Sequence, residues 1–216
     1  MIAFEKCTIE GCRKPHLTFS DTCLEHSQNK NDICHKIFSF ILCSDRIQDF
    51  CCNEINFEDF SFSKRIFHSS CFQHCTFKNV DFSESSFRIC FFDFCTFENC
   101  KLEKTNIQFS CFAGSKFLNV NFEDSDLIHN NFNDTICENT SFNNSDLYDS
   151  RFIQATLTNT NIKNCNIKKT VFVRTKETDV SFKSSNTREA IFERGELYLW
   201  NYIFIFRLKV FQTATS

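Results

Sequence analysis

Ser70-Cys71-Phe72-Gln73-His74, Cys75-Thr76-Phe77-Lys78-Asn79, Val80-Asp81-Phe82-Ser83-Glu84 and Ser85-Ser86-Phe87-Arg88-Ile89 follow one another without a gap. Each unit has Phe at its centre and a compact side chain two residues earlier. Working outward from this stretch, the centre recurs at every fifth position from Phe57 to Phe172, as Phe, Leu or Ile except at Cys137. The position two before it stays compact in most units, as at Cys90, Cys95, Cys100, Thr105, Ser110 and Ser115. A period of five fits neither a 3.6-residue helix nor a two-residue strand, so ordinary amphipathic elements are excluded. A short fixed repeat buries its apolar residues only by stacking each coil on the next, which predicts a solenoid.

Composition agrees with this. The 216 residues include 30 Phe but only three Gly and one Pro, too few turn formers for a hairpin-rich sandwich or barrel. A net charge of −3 gives no reason to expect direct nucleic-acid contact. No apolar stretch follows a basic region at the N-terminus, so the sequence predicts a cytoplasmic protein without a signal peptide. In that compartment the 15 Cys read as buried thiols acting as small hydrophobes rather than as a disulfide framework.

The motif (small)-x-(Phe/Leu)-x-x, as in Ser85-Ser86-Phe87-Arg88-Ile89 and Ser125-Asp126-Leu127-Ile128-His129, resembles the pentapeptide repeat family over residues 53–192. The resemblance extends to a bacterial type with a Cys/His knuckle before the repeats. It implies an all-β solenoid, a right-handed, four-sided (quadrilateral) β-helix with four repeats per coil and about seven coils. At about 4.8 Å per coil the rod would be about 30–35 Å long. A second period of twenty is visible: Asp59 is followed in one column by Asn79, Asn99, Asn119, Asn139 and Asn159, which predicts a stacked amide ladder. After Phe172 the pattern falters, with Glu177 and Thr187 at central positions, and a loosened or bulged last coil is expected.

Folding the chain at twenty gives four walls. Two are polar, one with Glu58, Lys78, Glu98 and Glu138, the other with Asp81, Lys101, Glu123 and Lys163. On the others Ile89, Phe91, Phe94 and Phe109 should face outward. Such a patch is costly in water and is expected to be covered, either by the protein's own termini or by a protein partner. Glu123, Asp124, Asp126, Asp134, Glu138, Asp146 and Asp149 fall between Phe117 and Ser150 with no Lys or Arg among them. They read either as solvated surface or as an acidic belt for a basic partner.

Cys7, Cys12, Cys23 and His26 are paired as zinc ligands would be, with Gly11 and Pro15 supplying turns, although His16 or Cys34 could substitute and free thiols are the other reading; four protein ligands would make the zinc structural. Residues 1–30 thus form a Cys/His knuckle. Residues 31–52 show helical spacing at Ile33, Ile37, Phe38, Ile41 and Leu42, with Asp32 as N-cap, and would close the first coil. Residues 193–216 form an apolar tail. Its stretch from Leu197 to Phe206 is too short to span a bilayer. A C-terminal cap, a homodimer contact and an interfacial membrane anchor remain open for it.

No nucleophile–base arrangement or phosphate-cradling Gly-rich loop is present, so no enzyme is expected. The sequence predicts a protein-interaction scaffold whose partner contacts are Ile89, Phe91, Phe94, Phe109, Glu123, Asp124, Asp126, Asp134, Asp146 and Asp149. The resemblance implies an alternative, since some members of the family imitate duplex DNA and modulate a type II topoisomerase, DNA gyrase.

Overall fold

Twenty residues carry the backbone once around four sides, and parallel pairing with the residue twenty positions on joins each coil to the next. The computed structural model describes residues 4–192. The first wall is a seven-stranded parallel sheet of Asn56–Glu58, Thr76–Lys78, Thr96–Glu98, Lys116–Leu118, Ile136–Glu138, Thr156–Thr158 and Lys176–Thr178. The third wall begins as Arg46–Gln48, Ile66–His68, Ser86–Arg88 and Asn106–Gln108 and continues through single bridges at Asp126, Asp146 and Asn166. The second wall is a column of bridges from Ser61 to Ser181. The fourth runs Cys51, Cys71, Phe91, Cys111, Asn131, Arg151, Val171. Paired strands therefore start at Arg46, ahead of the stretch that reads as repeats.

The central residues point inward and stack in files. Phe72, Phe92, Phe112, Phe132, Phe152, Phe172 and Phe192 form one such file, with ring centroids 4.8–5.2 Å apart and planes within 13° of parallel. Neighbouring files meet edge to face, as Phe87 and Phe92 do at 5.2 Å, an arrangement favoured by the ring quadrupoles.

The compact side chain two residues before each centre is also buried, and its chemistry matters as much as its size. Ser115 Oγ donates to the Phe92 carbonyl at 2.6 Å and accepts the Cys95 N–H at 2.8 Å. Ser125 does the same for Leu102 and Thr105, and Ser150 for Leu127 and Asn130. Thiols act as donors too: Cys95 Sγ reaches the Phe72 carbonyl at 2.9 Å and Cys165 Sγ the Phe142 carbonyl at 3.0 Å. Burial pushes Cys100 up to about 11 and Cys90 up to about 12, which keeps these thiols protonated and able to donate. The cysteines are all free, and those in this column are hydrogen-bonding groups as well as the small hydrophobes their composition suggests. No buried side-chain nitrogen or oxygen among the described residues lacks a partner.

Two residues after each centre the chain turns with positive φ, at every fifth position from Asp49 to Ser184, with Asn119 at 56° and Asn159 at 46° as examples. Asn and Asp tolerate this left-handed region because their side chains bond locally. The expected ladder is present: Asn79 Nδ2 donates to Asp59, and Asn99, Asn119, Asn139 and Asn159 each donate to the Asn one coil earlier, at 2.7–3.3 Å. Two further ladders run Asp124–Asn144–Asn164 and Asp146–Asn166–Asn186.

The helix spans Lys30–Cys43 and buries Ile33, Ile37 and Ile41 on the first coil. Asn29 takes the N-cap position, and Asp32 lies in the first turn, where its charge opposes the positive end of the helix dipole. Arg65 donates to the Ile41 and Leu42 carbonyls, satisfying the helix C-terminus from the solenoid. At the other end Lys176–Thr178 keeps its pairing, but all three residues are exposed, and a 3-10 turn at Thr187–Glu189 interrupts the last coil before Ile191–Phe192 pairs with Val171–Phe172. The apolar tail lies outside the described residues.

Replacing Phe112 by Ala should lower unfolding free energy by about 3–5 kcal/mol, because rigidly stacked neighbours cannot collapse into the gap. Ser115→Ala should cost about 1–3 kcal/mol by leaving the Cys95 N–H and Phe92 carbonyl unpaired in a dry corner, although only one oxygen is lost. Denaturant titrations of both variants would test this, and a neutral Ser115→Ala would show that the hydroxyl is dispensable.

Candidate functional site

Residues 5–27 form a compact knuckle of turns held by backbone hydrogen bonds. Cys7 N–H donates to Lys14, Cys12 N–H to Ile9 and His26 N–H to Cys23. Gly11 supplies a positive φ of 79° between the first two cysteines. These turns bring the Cys7, Cys12, Cys23 and His26 ligand atoms within 4.8 Å of one another, so the group could bind a metal ion. Cys7 Sγ lies 3.5 Å and Cys23 Sγ 3.4 Å from His26 Nδ1, and the Cys12 and Cys23 sulfurs are 3.9 Å apart. Metal–sulfur bonds of about 2.3 Å and metal–nitrogen bonds of about 2.0–2.1 Å at tetrahedral angles need edges of about 3.5–3.8 Å, which these three distances approach, while the other pairs lie within 4.8 Å. Burial alone would push the Cys7 thiol up, but hydrogen bonds from the Cys23 and Ile9 backbone and from His26 bring it down to about 6. A backbone hydrogen bond from Lys14 lowers Cys12, yet burial and the adjacent Cys7 and Cys23 sulfurs raise it overall. Crowded sulfurs that resist joint ionisation are what a divalent cation would relieve.

The knuckle lies on the start of the fourth wall. Thr18 N–H donates to the Cys51 carbonyl and its hydroxyl accepts the Cys51 N–H, both at 2.8 Å. Lys14 bridges Glu25 and Glu54 at 2.9 and 2.5 Å. Phe4 meets Phe91 edge to face at 6.2 Å. Phe91 is thus half-buried under the protein's own N-terminal region, whereas Phe94 and Phe109 remain 60% and 49% exposed.

Those two rings occupy opposite corners of the fourth wall, and both have left-handed backbones, with φ of 58° at Phe94 and 54° at Phe109. Ile89 shares this geometry at 57°. Phe94 stacks on His74 at 5.2 Å, and its ring lies over Gly114, where an added Cβ would stand 2.6 Å from Phe94 Cδ1. Phe109 stacks on His129 at 4.8 Å, with Arg88 over its ring at 5.5 Å, and His129 Nδ1 pairs with Asp149 at 3.0 Å. Between the two rings the floor is Cys111 and Ala113, both half-buried. Rims of aromatic residues and a floor of small ones make a shallow trough of mixed character, since Cys111 Sγ donates to Asp93 and accepts from Asn131, and His129, Asn131, Asp149 and Arg151 line the recess beside Phe109.

The acids are spread over several faces. Glu123, on the second wall, accepts from Ser141 and Asn143, and Asp124 starts an amide ladder at the next corner. Asp126 and Asp146 follow each other on the third wall, Asp146 accepting from Asn166 and from the Tyr148 N–H. Asp149 stands at the corner with the fourth wall and Asp134 at the corner between the fourth and first. Asp126 and Asp134 make no side-chain hydrogen bond or ion pair among the described residues. The left-handed corners, the amide ladders of the later coils and the role of Gly114 were not read from the sequence. A lone Gly in phase with the corner column was the one available signal.

Eight copies of the pentapeptide repeat are recognised, at residues 66–108 and 135–172. With the four-sided coil described above, they show a chain built on the pentapeptide repeat, and proteins of that family are generally structural or interaction proteins rather than enzymes. Among solved structures, a trypsin-treated form of QnrB1, a plasmid-mediated fluoroquinolone resistance protein, is 14% identical over 68% of this chain and 79% of its own, with a TM-score of 0.52. HetL, a pentapeptide repeat protein involved in heterocyst differentiation regulation in the cyanobacterium Nostoc sp. strain PCC 7120, is 8% identical over 74% of this chain and 96% of its own, with a TM-score of 0.39. Likeness at these identities concerns the fold alone. No curated protein matches the chain. No helix among the described residues is long and apolar enough to cross a membrane.

Gly114→Ala should destabilise by about 1–3 kcal/mol, since it puts a Cβ on a left-handed residue and drives Phe94 off its seat. Adding Phe94→Ala to that variant should recover part of the loss. Melting of the two single variants and the double variant measures the coupling, and strict additivity would argue against the contact.

Proposed function

We propose that the protein is a non-enzymatic interaction scaffold that presents the fourth wall of a rigid coil to a protein partner. Ile89, Phe91, Phe94 and Phe109 provide the apolar contact, and Asp134 and Asp149 flank it with negative charge. One observation carries this reading: large apolar residues stand at left-handed corners where other coils place polar residues or Gly. Every corner imposes the left-handed backbone, and Phe and Ile lack the local side-chain bonding by which Asn or Asp accept it while also exposing apolar surface that a partner would cover. Glu123, Asp124, Asp126 and Asp146 add to the charge of the adjoining faces. Glu123, Asp124 and Asp146 are held by bonds between coils, so their part is to shape the field more than to grip.

In the same reading Cys7, Cys12, Cys23 and His26 hold a structural zinc ion. Three sulfurs and one imidazole nitrogen within 4.8 Å of one another suit zinc, and no open position is left for a catalytic water. Purified protein should carry one zinc per chain. Cys23→Ser should lose most of it and lower the stability of the N-terminal region. Metal analysis with and without chelator tests this, and protein that takes up no zinc refutes it.

The experiment on the surface is a cross-linked capture from native cells that compares wild type with a Phe94→Asp/Phe109→Asp double variant of unchanged β-rich circular dichroism. Partners held by the apolar wall should be lost in the variant and survive moderate salt. Partners retained by the variant but released by salt would point to the acids, and inhibition of gyrase supercoiling by the purified protein would then favour DNA mimicry.

A further inference from the structure

Outward residues of the fourth wall differ in exposure along one column. Cys51 and Cys71 are 4% and 2% exposed, Phe91, Cys111 and Asn131 are half-buried, and Arg151 is exposed. All occupy the same register position, bridged coil to coil. Half-burial is the common state of this column, shared by Val171 far from the knuckle, and Cys51 and Cys71 are the positions that are more covered than that. The knuckle packs beside them: Thr18 clasps Cys51, Phe4 meets Phe91, and Lys14, Pro15, Leu17, Cys23 and Leu24 line a small cavity closed on the solenoid side by Asn53, Glu54, Gln73 and His74. Cys23 is at once a member of the metal group and a wall of that contact.

From this arrangement we infer that the knuckle is a metal-held cover on the fourth wall. The surface beneath it, Cys51, Cys71 and Phe91, continues the exposed trough of Phe94, Cys111, Ala113 and Phe109. With metal bound, the turns that carry Phe4, Lys14 and Thr18 are fixed and the first part of the wall is occupied by the chain itself. Without metal the turns at Cys7–Cys12 and Cys23–His26 lose the crosslink that orders them, and Leu17, buried in the core, and Leu24 are the apolar anchors left to hold the knuckle. The cover then opens and exposes Cys51, Cys71 and Phe91 at the N-terminal end of the wall. This inference rests on the proposed zinc site, and two built-in thiols report on it separately.

The test is alkylation of the full-length native protein with iodoacetamide, mapped by mass spectrometry, with zinc bound and after chelation. Loss of metal is verified by metal analysis and by labelling of Cys7, Cys12 and Cys23. Cys51 and Cys71 should be protected with metal and label at least about tenfold faster without it, while Cys95, Cys100 and Cys137 stay protected because the coils remain closed. In a second arm, Lys14→Glu, which breaks the pairing with Glu54, should raise labelling of Cys51 and Cys71 with zinc still bound. Purified protein that binds no zinc would refute the metal site itself. Protein that releases zinc while Cys51 and Cys71 stay protected would keep the site and overturn the cover. General labelling of interior cysteines on chelation would also overturn it, by showing that zinc supports the whole fold.

Discussion

Several corners of the twenty-residue coil, such as Phe92–Cys95, Leu102–Thr105 and Leu127–Asn130, leave a backbone N–H and a backbone carbonyl turned toward the interior, whereas others close on themselves, as Ser115 N–H does on the Phe112 carbonyl and Ala155 N–H on the Phe152 carbonyl. Left unpaired in a dry core, each open group would cost about 1–3 kcal/mol. The structure resolves this with one side chain from the coil above: Ser115 serves Cys95 and Phe92, Ser125 serves Thr105 and Leu102, and Ser150 serves Asn130 and Leu127. The repeat thus depends on a hydroxyl or thiol at a fixed place as much as on the aromatic centre. Because that side chain comes from the next coil, no coil is complete alone, and the rod needs closed ends.

The two ends of the described coil differ. At the N-terminal end a helix lays Ile33, Ile37 and Ile41 on the first coil, and Arg65 returns the contact by binding the helix carbonyls. The knuckle adds a second layer that spills over the edge onto the fourth wall. Toward the C-terminal end the aromatic file persists to Phe192, while the first wall turns outward at Glu177 because a carboxylate cannot replace Phe inside. Polar ladders of Asn and Asp then stiffen the outer corners, and the few corners that carry Phe or Ile instead stand out against them.

Much of this was legible in the residues themselves. Phe at every fifth position gave the solenoid, and with the four-repeat coil that the resemblance implies, Asn at every twentieth gave the wall assignment and the ladder from Asp59 to Asn159. Cys7, Cys12, Cys23 and His26 were legible as ligands because their spacing suits two turns around one ion. Other features were hidden. Asp32 looked like a cap, but the chain enters the helix earlier, at Asn29, a boundary that local propensity fixes poorly. The Cys column looked merely hydrophobic, because hydrogen bonding to a carbonyl twenty-three residues back leaves no mark in local composition. The acids between Phe117 and Ser150 looked like one belt, yet a chain that turns every five residues distributes them over different walls.

Sequence alone determined the period, the identity of the interior and the residues able to bind metal, because each of these is written in local spacing and, for the first two, repeated many times. Tertiary structure alone decided which outward residues remain available. Phe91 and Phe94 are three residues apart and equally apolar, yet the first lies beneath Phe4 and the second is open to water. Their phase in the repeat sets much of that difference, but the Phe4 contact is made once, between distant parts of the chain, and leaves no periodic trace for the sequence to show.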